Sequence, residues 1–234
     1  VAEIAVSQPQ LVLASASPRR RELLAALGAV YSTIISDAEE HATPTPPDVA
    51  AALPPLPVPH DDHPTLRAWR KARDAAAQAP GAVVLGADTI VVLDDAVLNK
   101  PADEAHARAM LAALAGRTHR VYTGLCVLRG DELWLDVAAA DVEFRPLSAG
   151  EIAAYVATGE PMDKAGAYGL QGLGGTMVRA VHGSYTCVVG FPLTPVHRLL
   201  GAAGVPGLSD PATTYERWLQ SQGKELPPCP PTLP

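Results

Sequence analysis

One carboxylate stands inside an apolar run. Val83-Val84-Leu85-Gly86-Ala87-Asp88-Thr89-Ile90-Val91-Val92 reads as buried strand sequence on both sides of Asp88. Burying an acid is costly unless something pairs with it. Two readings are open: a turn between two strands that Asp88 caps, or a strand that carries Asp88 into a site. A second group is Ser15-Ala16-Ser17-Pro18-Arg19-Arg20-Arg21. Small residues and a proline between a strand and a helix expose helix amides, which bind phosphate. Arg19 and Arg20 add bidentate donors suited to phosphoryl oxygens. A capped helix with solvated arginines is the competing reading. The helix dipole does not favour arginine in a first turn, which tilts the balance toward an anion site.

Three further sets could do chemistry with such an anion. Asp37, Glu39, Glu40 and Asp88 are hard oxygen donors of the kind a divalent cation needs on a triphosphate. A solvated turn accounts for residues 37–40 equally well. Lys71, Lys100 and Lys164 each fall beside an ordered element, whereas Lys224 lies in the tail. The run Gly166 to Gly175 would let backbone approach a ligand closely. Within it, Tyr168 offers a face for a planar base, and Gln171 one donor and one acceptor for its edge. A flexible interdomain loop is the alternative. The histidines suggest no triad, and neither Ser17 nor Ser184 sits in a GxSxG elbow, so covalent catalysis is not expected. No P-loop, HExxH, EF-hand or CxxC pattern is present.

The elements that must position these groups follow from periodicity. Leu11–Ala14 is a short strand, and Ser17 caps a helix with Pro18 in its first turn and Gly28 at its end. Val30–Ile35 is a second strand candidate. The proline-dense segment 41–64 excludes a long helix or central strand and is expected to be an irregular surface excursion. A helix runs from Thr65 to about Gln78, and another begins at Asp103 and ends at Gly116. His119–Arg129 and Leu133–Phe144 form two long strands joined at Gly130-Asp131. Ser148 and Glu151 have capping-box spacing. Met177–Val181 and Tyr185–Val189 are expected as strands, and Pro192–Ala203 as a helix. Residues 205–234 form a proline-rich extension, expected to be loosely packed around one short helix at Thr213–Gln220. The fold class is α/β with mixed strands.

Bulk properties narrow the class. With 234 residues, 48% of them hydrophobic and 18% charged, the chain can build one substantial core or two small lobes. A net charge of -7 gives no reason to expect affinity for nucleic acid or anionic membrane. Cys126, Cys187 and Cys229 make neither metal-ligand spacing nor an even disulfide set, which suits a reducing compartment. No membrane span or secretory signal is read in the sequence.

Four blocks in order resemble the Maf family of nucleotide pyrophosphatases. They are Leu13-Ala14-Ser15-Ala16-Ser17-Pro18-Arg19-Arg20-Arg21-Glu22-Leu23-Leu24; Leu85 to Val91 with Asn99-Lys100-Pro101; Gly159 to Gly172; and Val188-Val189-Gly190-Phe191-Pro192-Leu193. The resemblance covers roughly residues 11–202. It implies a mixed, elongated, twisted sheet flanked by helices, with two lobes around a nucleotide cleft, like the inosine triphosphate pyrophosphatases. Residues 1–204 would be the catalytic domain. The implied reaction is metal-dependent hydrolysis of a nucleoside triphosphate to the monophosphate and pyrophosphate, in the cytoplasm, often by a homodimer. The family is linked to nucleotide-pool cleaning and to inhibition of septum formation. Asp88 matches its proton acceptor. Arg19, Thr89 and Gln171 match the specificity positions and resemble the dTTP/UTP branch rather than the 7-methyl-GTP branch, which carries glutamate where Gln171 stands.

On that resemblance, Asp88 activates water and holds Mg²⁺ or Mn²⁺ with Glu40. Ser15, Ser17, Arg19, Arg20, Lys71, Lys100 and Lys164 bind the phosphates, and Tyr168 and Gly172 shape the base pocket with Gln171. A broader or modified-nucleotide pyrophosphatase, or a nucleotide-binding regulator of septum formation, are the alternative functions. The chain departs from the family in its longer 41–64 segment, in Arg70 where a glutamate often precedes the lysine, and in its C-terminal tail.

Overall fold

The computed structural model describes residues 10–36 and 44–223. Its elements in chain order are β1 (Leu11–Ala14), α1 (Pro18–Ala26), β2 (Tyr31–Thr33), α2 (Pro47–Ala52), α3 (Pro64–Gln78), β3 (Val83–Leu93), β4 (Ala96–Leu98), α4 (Glu104–Leu114), β5 (Thr118–Arg129), β6 (Glu132–Phe144), α5 (Ala149–Val156), β7 (Val178–Gly183), α6 (Tyr185–Val189), α7 (Leu193–Ala202) and α8 (Pro211–Ser221). A seven-stranded mixed sheet runs β2-β1-β3-β5-β6-β7, with β4 paired to β3. β1 is parallel to β2 and β3, and every other pairing is antiparallel. The fold class is therefore the mixed α/β one expected.

The turn reading of Asp88 fails. β3 runs unbroken through it, and Asp88 pairs with Gly124 in the middle of the β3–β5 ladder. The reason is visible in the cores. Leu85 and Ala87 on β3, with Leu125 and Val127 on β5, pack into the cluster built by α1, α7 and α8. Val91 and Leu93, with Val121 and Val142, pack into a second cluster with α4 and α5. The long strands serve both cores. Thr89 and Thr123 lie where one core gives way to the other, and Asp88, alternating to the opposite face, points toward α3.

α3 covers the other face of the sheet, with Leu66, Ala68, Trp69, Ala72 and Ala75 against Val12, Val84 and Cys126. It lies very close. A Cβ at Gly86 would come within 2.2 Å of the Ala68 carbonyl, and one at Gly124 within 2.1 Å of the Thr65 amide. Two glycines on neighbouring strands thus bring the helix down onto the sheet beside Asp88.

Three expectations change. Tyr185–Val189 is a helix, because the Ser184 hydroxyl accepts the Cys187 amide at 3.1 Å and caps it. The described part of the 41–64 segment is neither wholly irregular nor a surface excursion: it carries α2, Val49 is buried against α3, and Leu56 and Val58 pack on a small cluster around Ile90 and Tyr122. The tail through Gly223 is not loose. α8 buries Trp218 and Leu219 in the first core, and the Trp218 indole donates to Glu22 at 2.9 Å. Pro206 lies before the helix and Pro211 at its first position, where neither interrupts it.

Candidate active site

A cleft of about 690 Å³ opens where the two cores meet. β1 and the start of α1 line one end, and α3 and β3 the floor. Asn99-Lys100 and the 163–171 segment close the rest.

The end formed by α1 is built for an anion. Ser17 caps the helix, and Ser15 is buried with its hydroxyl accepting the Ser17 amide at 3.2 Å. The amides of Ala16 and Arg19 meet no described acceptor. Arg19 is half-buried along the cleft. Arg20 lines this end of the cleft and has a structural part as well. It is buried, and its guanidinium donates to Gly190 O (2.9 Å), Ala87 O (2.7 Å), Ser15 Oγ (3.3 Å) and Thr89 Oγ1 (3.2 Å). Four contacts from five N–H donors make it a clamp between α1, β3 and the end of α6.

Thr89 sits in a directed chain. Thr123 donates its only hydroxyl proton to the Cys187 carbonyl at 2.8 Å. The 2.9 Å contact between Thr89 and Thr123 therefore takes the Thr89 proton. Thr89 accepts from Arg20 and gives to Thr123, so it can meet a ligand only as an acceptor.

On the floor, Lys71 Nζ donates to Asp88 Oδ1 at 2.7 Å, and both side chains are 9% exposed. Asp88 Oδ2 meets no described protein donor, and the carboxylate lines the cleft. This arrangement leaves one oxygen for water or a cation. Lys100 is exposed at the rim. Lys164 lines the cleft but turns toward its own segment, donating to Glu160 O and Asp163 Oδ1, each at 2.6 Å.

At the far end, Gln171 reaches the cleft with its Oε1 buried and without a hydrogen-bond partner. Tyr168 is not an open stacking platform. Its ring packs edge-on against His119 and Phe144, with centroids 5.4 and 4.8 Å away, and its hydroxyl contacts His119 Nε2 at 2.8 Å. It walls the cleft from below. Gly172 does not line the cleft; it packs against the Glu160 carboxylate instead. Burial pushes the Glu160 carboxyl up. The Leu173 and Gly174 amides, the Tyr155 hydroxyl and Lys164 outweigh that and hold it below the usual carboxylate range. Burial holds the His119 imidazole down at about 4, so it is neutral at pH 7.

Arg67 and Asn99 also line the cleft, joined at 2.9 Å. Arg67 lies one helical turn before Lys71 on α3, so i, i+4 spacing could have found it. Asp61 and Asp62 of the 41–64 segment bind Arg70 and Arg67 from behind.

Glu40, expected as a metal ligand, lies outside the described residues, as do Asp37 and Glu39. Among the described residues no group of three His, Cys, Asp or Glu could hold a metal ion. Asp88 still fits a Mg²⁺-like ion. Such an ion keeps several waters and takes one or two carboxylates together with substrate phosphate oxygens.

The dTTP/UTP pyrophosphatase of Moorella thermoacetica is 49% identical over 84% of this chain and 96% of its own. Those of Symbiobacterium thermophilum and Deinococcus radiodurans are 45% identical over 84% and 95%, and 44% identical over 86% and 96%, of the two chains. Among solved structures, the Staphylococcus aureus Ham1 protein aligns over 58% of this chain and 71% of its own, at 16% identity and a TM-score of 0.37. Residues 10–203, which hold every cleft-lining side chain named above, match the family described as Maf-like protein, and the chain belongs to that family.

Proposed function

We propose that this protein hydrolyses dTTP and UTP to the nucleoside monophosphate and pyrophosphate. The observation that carries the reading is a single cleft with three parts in line. The Ala16 and Arg19 amides and the Arg19 side chain lie at one end, the Asp88–Lys71 pair in the middle, and Gln171 with its unpartnered Oε1 at the other. The relatives named above carry the same activity in their names.

The residues divide the work by position. The Ala16 and Arg19 amides, Ser15, the Arg19 side chain, Lys71 and Lys100 hold the triphosphate and offset the charge that builds on the departing pyrophosphate. Asp88 orients a water for attack on the α-phosphorus and takes its proton at Oδ2. Lys71 fixes that carboxylate by holding Oδ1. A uracil or thymine edge presents an N–H between two carbonyls. Gln171 Oε1 accepts the N–H while its amide nitrogen donates to a carbonyl. A carboxylate in the same place would meet a carbonyl with no donor, which disfavours pyrimidines. Asp88 would hold a divalent cation, with Glu40 as the second carboxylate. Such a cation polarises phosphoryl oxygens when bound.

Pyrophosphate release across dTTP, UTP, CTP, GTP and 7-methyl-GTP tests the reading, with Mg²⁺, with Mn²⁺ and with a chelator. Fastest turnover of dTTP and UTP, lost on chelation and restored by metal, is expected. Equal or faster turnover of 7-methyl-GTP would overturn the substrate assignment.

A further inference from the structure

Tyr168 and Leu170 are buried in the two cores, but the glycine-rich stretch that follows Gln171 has little side-chain packing of its own, with Leu173 exposed. Residues 166, 169, 172, 174 and 175 are glycines. Glycine contributes no side-chain packing and loses the most backbone freedom on ordering. Yet Gln171 must be fixed if its amide is to discriminate one base edge from another.

That stretch is tethered by a carboxylate from the preceding 3₁₀ turn, Glu160–Asp163. Glu160 Oε2 accepts the Leu173 amide at 3.0 Å, and Oε1 accepts the Gly174 amide at 3.2 Å. Oε1 also accepts the Tyr155 hydroxyl at 2.9 Å, and that hydroxyl in turn accepts the Gly169 amide at 3.2 Å. The tether thus grips the backbone two residues before Gln171 and two residues after it. The glycines make room for it. A Cβ at Gly172 would lie 2.4 Å from Glu160 Oε1, and one at Gly169 would lie 3.1 Å from the same oxygen. The Glu160 backbone carbonyl accepts Lys164 Nζ at 2.6 Å, so the same residue also sets the lysine that lines the cleft. Every donor around the carboxylate points inward, so only an acceptor-only group satisfies them all. Tyr155 itself is fixed by packing in the second core.

We infer that Glu160 is a positioning residue for base recognition: its carboxylate pins the 169–174 loop so that Gln171 meets the pyrimidine edge in one orientation. This rests on the proposed dTTP/UTP pyrophosphatase activity and extends it to a group that touches neither substrate nor the reacting atoms. A Glu160→Gln side chain has the same shape. Its NH₂ would face inward-pointing donors, and the charge-assisted bonds would be lost.

The test is steady-state pyrophosphate release by wild type, Glu160→Gln and Tyr155→Phe with dTTP, UTP and GTP. For Glu160→Gln the KM for dTTP and UTP is expected to rise about tenfold or more, the scale of losing one hydrogen bond to a charged group, with kcat within about twofold. The dTTP-over-GTP ratio of kcat/KM should fall with it, because a loosened Gln171 loses the fixed orientation on which discrimination between two base edges rests. Tyr155→Phe keeps the packed ring and removes one of the tethers, so a smaller change in the same direction is expected. An active wild type with unchanged KM and unchanged ratio in Glu160→Gln would overturn the inference alone. So would an equal loss of kcat for all three nucleotides, which marks general loss of structure. If Glu160→Gln shows no cooperative melt, Tyr155→Phe decides, and wild-type KM values there would overturn the inference. A wild type inert toward dTTP and UTP would overturn the functional reading and this inference with it.

Discussion

Lys71 Nζ lies 2.7 Å from Asp88 Oδ1 across a helix–strand contact, and neither side chain is more than 9% exposed. Removing one partner of a buried ion pair leaves the other without compensation, at a cost of about 3–5 kcal/mol. Lys71→Met should therefore lower stability by that order as well as abolish turnover. Adding Asp88→Asn should recover part of the lost stability and none of the activity. Denaturant unfolding of the two single variants and the double variant measures this, with the double costing less than the sum of the singles.

That contact exists because α3 lies on two glycines. Gly124→Ala would place a methyl group within 2.1 Å of the Thr65 amide, where the neighbour is backbone and cannot rotate away. Overpacking of this kind costs about 1–3 kcal/mol. The helix must rise, and Lys71 rises with it. A lower Tm together with a lower kcat is expected. Gly130→Ala is the control for adding a methyl in open space, although strain at its positive φ will cost some stability there too. It should leave kcat at the wild-type value.

Thr89 stands in the donor chain Arg20 to Thr89 to Thr123 to the Cys187 carbonyl. Thr89→Val keeps the volume and removes the acceptor for Arg20. Losing that hydrogen bond from the buried clamp costs about 0.5–1.5 kcal/mol. Thr89→Ser keeps the chain and should stay near wild type in Tm. If Thr89→Val matched wild type in both Tm and substrate preference, the chain would have no role in either.

His119 gives the fold a pH dependence. Burial holds its folded value near 4, against 6.5 for the unreacted side chain. Between those values the unfolded chain binds a proton that the folded chain refuses. Stability is therefore present above about pH 6.5 and falls as pH drops toward 4. Thermal melts between pH 7 and 4 should show a steeper loss of Tm in wild type than in His119→Gln, which cannot titrate.

Much of this was legible in sequence because local signals agreed with tertiary demands. Ser17-Pro18 announces the start of α1, Ser148 and Glu151 form the capping box, and β5 and β6 alternate over a long hairpin. Asp88 could be singled out because an acid in an apolar run needs a reason. The Arg20 clamp is not legible in sequence, because its partners, Gly190 and Ala87, lie 170 and 67 residues away and no spacing rule connects them. Gly172 looked like a ligand-approach glycine. It is one that admits the Glu160 carboxylate, and composition does not distinguish the two. Tyr185–Val189 is β-branched and aromatic enough to read as a strand, yet the Ser184 cap and the packing of Cys187 and Val189 make it a helix. The tail and the 44–63 segment were obscured by proline content, which reports backbone restriction and not whether apolar side chains find a core.

The most direct test of the whole account is pyrophosphate release from dTTP by Asp88→Asn with saturating Mg²⁺. The substitution preserves shape and removes the proton acceptor at the cleft floor. A fall in kcat of about 10²-fold or more, with the folded state intact by its thermal melt, is the predicted result. Wild-type turnover by Asp88→Asn would contradict it.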